Sequence, residues 1–354
     1  MKHIAARTAA ACGIAAAAVL AAGRACADNM PVPGSAGTGE MGYATDAFPG
    51  FDPDSWKVEQ KKPSWWFSVE SSCKTPGEQW NFVCGLKKQG KWKKVRKACE
   101  ALVREWPESA EAALAQETIA NLYVTQFDDI YEAFDEYDYL LKFYPGLCRY
   151  GQIVEMQFRL AECMYEEQKA KGWMSFAWTG PDTIRKKYEK TVRYAPGAAH
   201  VPDAMMRIAA LRSESGDRAR AVLAYEEVRN RFAGTPQAAE ALYLEAKELA
   251  AQVRENPHNR HRRRHAINYM KQALEKSPDH PRAKEIKAWM DALEAEAEEE
   301  AWKGALFYDT RQRSRNAAVS AYEVFAEQFP GSPRAAQARE RVKAIKGGAE
   351  PLRK

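Results

Sequence analysis

Apolar positions along the chain recur at intervals of three and four residues, and six such runs stop at a turn in the same register: Trp-Pro at Pro107, Tyr-Pro at Pro145, Ala-Pro at Pro196, Phe-Ala at Ala233, Ser-Pro at Pro278 and Phe-Pro at Pro330. Twelve, eight and five residues before each turn stand Val95, Cys99 and Leu102; Ala133, Tyr137 and Leu140; Ile184, Tyr188 and Thr191; Ala221, Tyr225 and Val228; Ala266, Met270 and Ala273; and Ala318, Tyr322 and Phe325. Offsets of four and three place each trio on one face of a helix. The pattern predicts helix pairs over 76–106, 109–144, 150–195, 201–232, 236–277 and 281–329, closed by a helix near 332–346. Ser109 and Asp182 are predicted helix caps, and Gly216-Asp217 is predicted to separate the two helices of the fourth pair.

A small residue, a large ring and a medium apolar residue, closed by proline, resemble the second half of a tetratricopeptide helix pair. The implied fold class is all-α, a right-handed tetratricopeptide-like α-solenoid of about six hairpins plus a C-terminal helix. At 354 residues the chain is longer than one compact core usually supports, and a stack of hairpins removes that difficulty because each pair buries its apolar face against its neighbours. The turns are 37 to 52 residues apart against 34 for the ideal repeat. The third pair carries an insertion, Gly172-Trp173-Met174-Ser175-Phe176-Ala177-Trp178, and the last has a long first helix running through Glu294, Glu296 and Glu298 toward Trp302 and Tyr308.

The beginning of the chain has the composition of an export signal. Lys2 and Arg7 precede the apolar run Ala9–Ala22, and Ala25-Cys26-Ala27 is a small-x-small cleavage site before Asp28. The run is too short for a bilayer span. Removing Lys2, Arg7 and Arg24, with no acid among residues 1–27, takes the net charge from +5 to about +2, which withdraws the electrostatic case for nucleic acid. Residues 28–55 hold four prolines and five glycines and read as a flexible leader; Trp65-Trp66-Phe67 reads as an aromatic segment capping the first repeat, and 347–354 as a disordered tail. Five cysteines follow residue 27, an odd number, without any C-x-x-C spacing; Cys84 and Cys99 could face each other across the first hairpin, while Cys148 and Cys163 are expected on one helix, too far apart to pair.

Catalytic motifs find little footing. Gly37-Thr38-Gly39-Glu40-Met41-Gly42 matches a dinucleotide-binding pattern but lacks the strand and helix that make it work. His258, His261 and His265 are interleaved with Arg260, Arg262, Arg263 and Arg264, guanidiniums that oppose a metal cation. The expectation is a non-enzymatic chain with no cofactor, no metal and no small-molecule substrate. Two basic clusters are candidates for contact with an anionic partner or lipid phosphate: Lys88, Lys91, Lys93 and Lys94 near the first hairpin turn, and Arg262, Arg263 and Arg264.

The turn sequences FYPG, RYAPGA, RFAGTP and QFPGSPRAA, the insertion GWMSFAWTGPDTIRKKYEKTVRYAPGA and the closing ALFYDTRQRSRNAAVSAYEVFAEQFPGSPRAAQARERV together resemble the outer-membrane protein assembly lipoprotein family of the BamD type, over residues 76–346. That resemblance implies a periplasm-facing scaffold at the outer membrane, with a barrel-assembly subunit and unfolded barrel clients as partners. It also implies lipidation at Cys26, although Gly23-Arg24-Ala25 replaces the family's Leu-small-small triplet. A periplasmic adaptor for envelope or division complexes is the rival reading. In this repeat class the first helix of each pair lines the binding surface, which nominates Trp80, Cys84, Lys87, Thr118, Leu122 and Thr125 for contact with a peptide or partner.

Overall fold

The computed structural model describes residues 71–171, 180–312 and 314–350. The expected export signal with Cys26, the leader, Trp65-Trp66-Phe67, the Gly172–Trp178 insertion and the last four residues lie outside the described residues. Among those described, the chain forms thirteen helices and no strand: α1 (Pro76–Lys88), α2 (Trp92–Glu105), α3 (Ala110–Thr125), α4 (Ile130–Phe143), α5 (Tyr150–Lys171), α6 (Pro181–Tyr194), α7 (Val201–Glu214), α8 (Arg218–Arg231), α9 (Pro236–Glu255), α10 (Arg260–Lys276), α11 (Ala283–Thr310), α12 (Arg315–Gln328) and α13 (Pro333–Lys346). These are the six predicted helix pairs and the closing helix, with ends within a few residues of those the turns predict. No helix among the described residues is long and apolar enough to cross a membrane.

Local chemistry sets the helix starts. The side chains of Thr75, Ser109, Asp129, Asp217, Thr235 and Asn259 each accept a hydrogen bond from the backbone amide three residues on, satisfying a donor that the first turn leaves open and contributing about 1 kcal/mol apiece. Pro76, Pro181, Pro236 and Pro333 occupy the first helical position, where the missing amide costs nothing. Asp182 is not the cap expected of it. Gly180 stands at that position, and Asp182 lies inside the first turn of α6, bonded to Arg185. Gly216, at φ +84°, adopts the left-handed backbone that ends α7 and hands the chain to the Asp217 cap of α8. Cys148 lies in the turn before α5 and only Cys163 on that helix, which alters the expected placement of the pair. Cys84 and Cys99 are both free thiols, and burial of Cys99 pushes its pKa far up, so it behaves as core.

The chain divides into two compact units, Met1–Leu211 and Arg212–Lys354, the boundary falling inside α7. In the first, successive helices from α1 through α6 pack on one another, and α1 also reaches α3. One continuous core results, with Phe134, Tyr137, Tyr144, Ile184 and Tyr188 among its most deeply buried side chains. In the second unit the helices from α8 to α13 pack in chain order, and α9 also touches α11. Two separate apolar clusters form there, one around Leu249, Val253, Met270 and Ile286, the other around Ala305, Tyr322, Phe325 and Val342.

All six predicted trios are buried: none of their residues is more than 5 % exposed. The ring at the central position carries a hydroxyl as well as an apolar body, and its partner is supplied by the preceding helix. Tyr137 donates to Asn121 of α3 at 2.5 Å, Tyr188 to Glu162 of α5 at 2.5 Å, and Tyr322 to Asp309 of α11 at 3.3 Å. In the last two cases an arginine from the following helix closes the group. Arg207 of α7 reaches Glu162 at 2.9 Å, and Arg341 of α13 grips both oxygens of Asp309 at 2.7 and 2.9 Å. Burial, reinforced by the neighbouring carboxylate, pushes the Tyr322 hydroxyl up to about 12 and the Tyr188 hydroxyl further, so both remain donors at any physiological pH.

Tyr188→Ala is expected to cost about 3–5 kcal/mol in urea unfolding, because it opens a cavity between α5 and α6. Tyr188→Phe keeps the ring and loses only the hydroxyl bond, so about 1–2 kcal/mol is expected. A loss below about 1 kcal/mol for the alanine variant would show that the ring is not what holds the hairpin.

Candidate partner-binding groove

Helix α11 is the longest among the described residues, 28 residues, or roughly 42 Å at 1.5 Å per residue. Its two ends belong to different cores. Ile286 and Leu293 are buried in the cluster with α9 and α10, whereas Ala305 joins the cluster with α12 and α13. Between Leu293 and Ala305 no side chain of α11 is fully buried, and the stretch alternates glutamates with small residues. The carboxylates of Glu298, Glu299 and Glu300 are held by neighbours, while Ala297, Ala301 and Gly304 leave little bulk above the helix axis.

The consequence is a groove of about 1150 Å³, bordered by α10 and α12 and running to the start of α13. Its lining includes Ala297, Ala301, Gly304 and Ala305 from α11, Arg260 and Arg264 from α10, and Ala321 and Val324 from α12. At one end Phe307, Tyr308 and Val324 stand 50 %, 37 % and 45 % exposed, with the two rings edge to face at 5.9 Å between centroids. Large apolar side chains that border a concavity and meet solvent are a signature of a protein-interaction surface.

Ion pairs hold the walls in place. Glu300 accepts from Arg263 at 2.6 Å and from Arg260 at 2.7 Å, tying α10 to α11, and Arg263 also donates to the Pro257 carbonyl. Glu299 accepts from Arg334 at 2.6 Å, and Glu298 from the Ser332 hydroxyl at 2.6 Å, tying α13 to α11. These guanidinium bonds, that from Arg263 foremost, hold the Glu300 carboxyl below its ordinary value of 4.5. Two kinds of polar group on the lining are left over: exposed Arg264, Asp291 and Glu294 make no ion pair among the described residues, and the buried Nε of Arg263 has no hydrogen-bond partner.

The residues nominated from the sequence lie elsewhere. Trp80, Thr118 and Leu122 are 6 %, 2 % and 4 % exposed, packed between helices and withdrawn from any partner. For Thr118 and Leu122 the reason is that α3 meets α1, α2 and α4 and is buried almost all round, so no face of its middle turns is left to line a binding surface, whereas Trp80 sits on the buried face of α1. Cys84 and Lys87 are half-buried, and Thr125 donates its hydroxyl to the Asn121 carbonyl at 2.8 Å. Among the anionic-contact candidates, Lys88, Lys91, Lys93, Lys94, Arg262 and Arg264 are exposed; Arg263 is 6 % exposed and committed to Glu300, which removes it from that set. The sequence signal for the groove was the overlong first helix of the last pair with its alternating glutamates and alanines, and it carried no indication of which side chains stay exposed.

The tetratricopeptide repeat family model matches residues 203–235, which span most of α7, all of α8 and the turn that follows. No curated protein matches the chain. Among solved structures it is similar to YrrB, described as a TPR protein with an unusual peptide-binding site, at 17 % identity over 59 % of this chain and 90 % of that one, with a TM-score of 0.29. It is also similar to yeast Tom70, at 14 % identity over 81 % of this chain and 67 % of that one, with a TM-score of 0.27.

Because the Glu300 pKa is depressed in the folded state, the stability it contributes is present above 4.5 and is lost as the pH falls through the folded value. Glu300→Gln is therefore expected to unfold about 1–2 kcal/mol more easily at pH 7, the cost of leaving buried Arg263 without its charged acceptor. The gap from the parent chain should close as the pH drops below 4.5 in a series of thermal melts. A gap that stays constant with pH would show that the Arg263–Glu300–Arg260 bonds do not clamp α10 to α11.

Proposed function

We propose that this chain is a non-enzymatic protein-binding scaffold of the cell envelope, exported by its N-terminal segment, which serves outer-membrane β-barrel assembly by holding a polypeptide segment of a partner in the α11 groove. The observation that carries this reading is the groove itself. At about 1150 Å³ it is larger than the usual small-molecule pocket and is of a size for a stretch of polypeptide. Its floor of Ala297, Ala301 and Gly304 lets a partner backbone come close, and Phe307, Tyr308 and Val324 offer an apolar anchor at one end. Arg264 on one wall, with Asp291 and Glu294 on the floor helix, provides charges of both signs to orient what enters.

The export-like N-terminal segment and the resemblance over residues 76–346 support the envelope location and the assembly role. One observation favours the adaptor reading: Gly23-Arg24-Ala25 before Cys26 is a poor lipidation sequence, as suits a periplasmic protein without an anchor.

The test is retention of envelope proteins by the parent chain and by Val324→Glu, which sets a charge at the apolar end of the groove. The exposed substitution should change stability by less than about 0.5 kcal/mol. The expected result is an outer-membrane barrel with periplasmic domains on the parent chain and at least a tenfold smaller yield on the variant. Peptidoglycan-associated or division proteins without a barrel would establish the adaptor reading instead. Equal retention by both chains would take the groove out of partner binding.

A further inference from the structure

The other feature of the surface that the groove does not use is the tip of the first hairpin. From Gln79 to Cys99 the chain contains no acidic residue, while Lys87, Lys88, Lys91, Lys93, Lys94, Arg96 and Lys97 crowd into its second half. The fold does not neutralise them. Arg96 is bonded to Glu100 at 2.7 Å and to the Tyr123 hydroxyl at 3.2 Å, but Lys88, Lys91, Lys93, Lys94 and Lys97 are exposed and make no ion pair among the described residues. The turn between α3 and α4 has two acids, Asp128 and Asp129, and Asp129 is occupied in capping α4.

Two further observations mark this tip. Helix α2 starts against its own dipole: Lys91 sits at the cap position without a side-chain hydrogen bond, Lys93 and Lys94 occupy the first turn, and no acid accompanies them. Positive charge is unfavourable at the positive end of a helix, and eight other helices among the described residues start from Ser, Thr, Asp or Asn at the cap position. An anionic partner would remove that conflict. On the exposed surface of α1, Phe82 stands 41 % exposed, six residues before Lys88, about 9 Å along the helix and on a different face of it.

We propose that the tip of the α1–α2 hairpin is a docking surface for anionic phospholipid headgroups. Lysines favour this occupant over a specific acidic protein. They are point charges on flexible stems, suited to a diffuse layer of phosphates, whereas recognition of individual carboxylates on a protein calls for the fixed fork of arginine, and the one arginine here is already committed. Exposed Phe82 on the same hairpin adds an aromatic side chain of the kind that enters the interfacial region. The surface involves neither α11 nor its groove, and it adds an orientation to the scaffold proposed above: with the hairpin tip against lipid, the first unit is held at the membrane through its amino-terminal helices.

The experiment is co-sedimentation of the full chain with vesicles of phosphatidylcholine alone and of phosphatidylcholine with about a third phosphatidylglycerol, at low and high salt. Each lysine at an anionic surface is worth about fivefold in partitioning, so K91E/K93E/K94E should bind the anionic vesicles at least 100-fold more weakly than the parent chain. The parent chain's binding should fall steeply with salt, and neutral vesicles should bind both chains alike, since the apolar run Ala9–Ala22 is common to both. Acids in the first turn of α2 favour the helix, so the triple variant should melt no lower than the parent, and Phe82→Ala gives a second, charge-neutral variant expected to weaken binding severalfold. Val324→Glu should bind vesicles like the parent, which separates this surface from the groove. Equal binding of the triple variant and the parent to anionic vesicles would overturn the proposal. So would lysine-dependent capture of a polyglutamate probe without any vesicle binding, which would assign the tip to an acidic polypeptide.

Discussion

The constraint on which the rest of the structure depends is the need to satisfy a hydroxyl inside a helix stack. In four of the six second helices a tyrosine, Tyr137, Tyr188, Tyr225 or Tyr322, stands at the central buried position, and a buried tyrosine hydroxyl without a partner costs about 1–3 kcal/mol. Asn121, Glu162 and Asp309 supply the acceptor from the first helix of the same pair. A carboxylate placed there creates a second demand, because a buried charge must itself be paired. Arg207 and Arg341 meet it from the next helix in line. The tyrosine therefore fixes more than its own hairpin: it sets a position on the first helix, and through it a position on the helix that follows. Where methionine replaces the ring, at Met270, the acceptor is absent from that site and a neighbouring tyrosine, Tyr269, donates to Glu245, which Arg229 of α8 also holds.

The groove follows from breaking that regularity in length and not in chemistry. Asp309 and Tyr322 are placed as the rule demands, but Asp309 lies at the far end of a 28-residue helix, twice the 14 residues of α12 or α13. Packing one end of α11 in the cluster with α9 and α10 and the other in the cluster with α12 and α13 leaves between Leu293 and Ala305 a stretch in which no side chain is fully buried. Half-buried small residues on a helix would be unremarkable alone; here the ion pairs from Arg260, Arg263 and Arg334 hold the walls on either side, so this stretch keeps a defined shape.

The hairpins were legible because their signal is local and repeated. Proline and glycine turns mark the ends, and the trio offsets depend only on the 3.6-residue period, so Val95, Tyr137 and Phe325 could be assigned to the core without knowing what they touch. The candidate site was much less legible. Assigning Thr118 and Leu122 to a binding surface assumed that first helices keep an open face, and α3 does not, being surrounded by α1, α2 and α4; Trp80 falls on the buried face of α1. Arg263 looked like one of several exposed arginines because burial of a long polar side chain depends on a partner 37 residues away, Glu300, which no periodicity announces. The groove is set by the relative displacement of helices along α11, a quantity that lies in packing and not in any single residue.

Charge is where these levels meet. Taken as a whole the chain is close to neutral once its first segment is set aside, yet its positive charges are used in two ways. Arg207, Arg218, Arg229, Arg263, Arg334 and Arg341 each bridge helices, as suits a planar group that can bond to two acceptors at once and is more weakly hydrated than an ammonium. Lys187 and Lys190 join them by reaching Asp135 and Asp138, but the lysines at the tip of the first hairpin reach nothing within the described residues. A stack of this kind has acids on nearly every helix, and a single glutamate one turn along α2 would have paired with Lys93 or Lys94 and relieved the conflict with the helix dipole. The interior of each unit is thus electrostatically closed while the hairpin tip is left open, so any partner that meets the tip finds charge that the fold itself does not require.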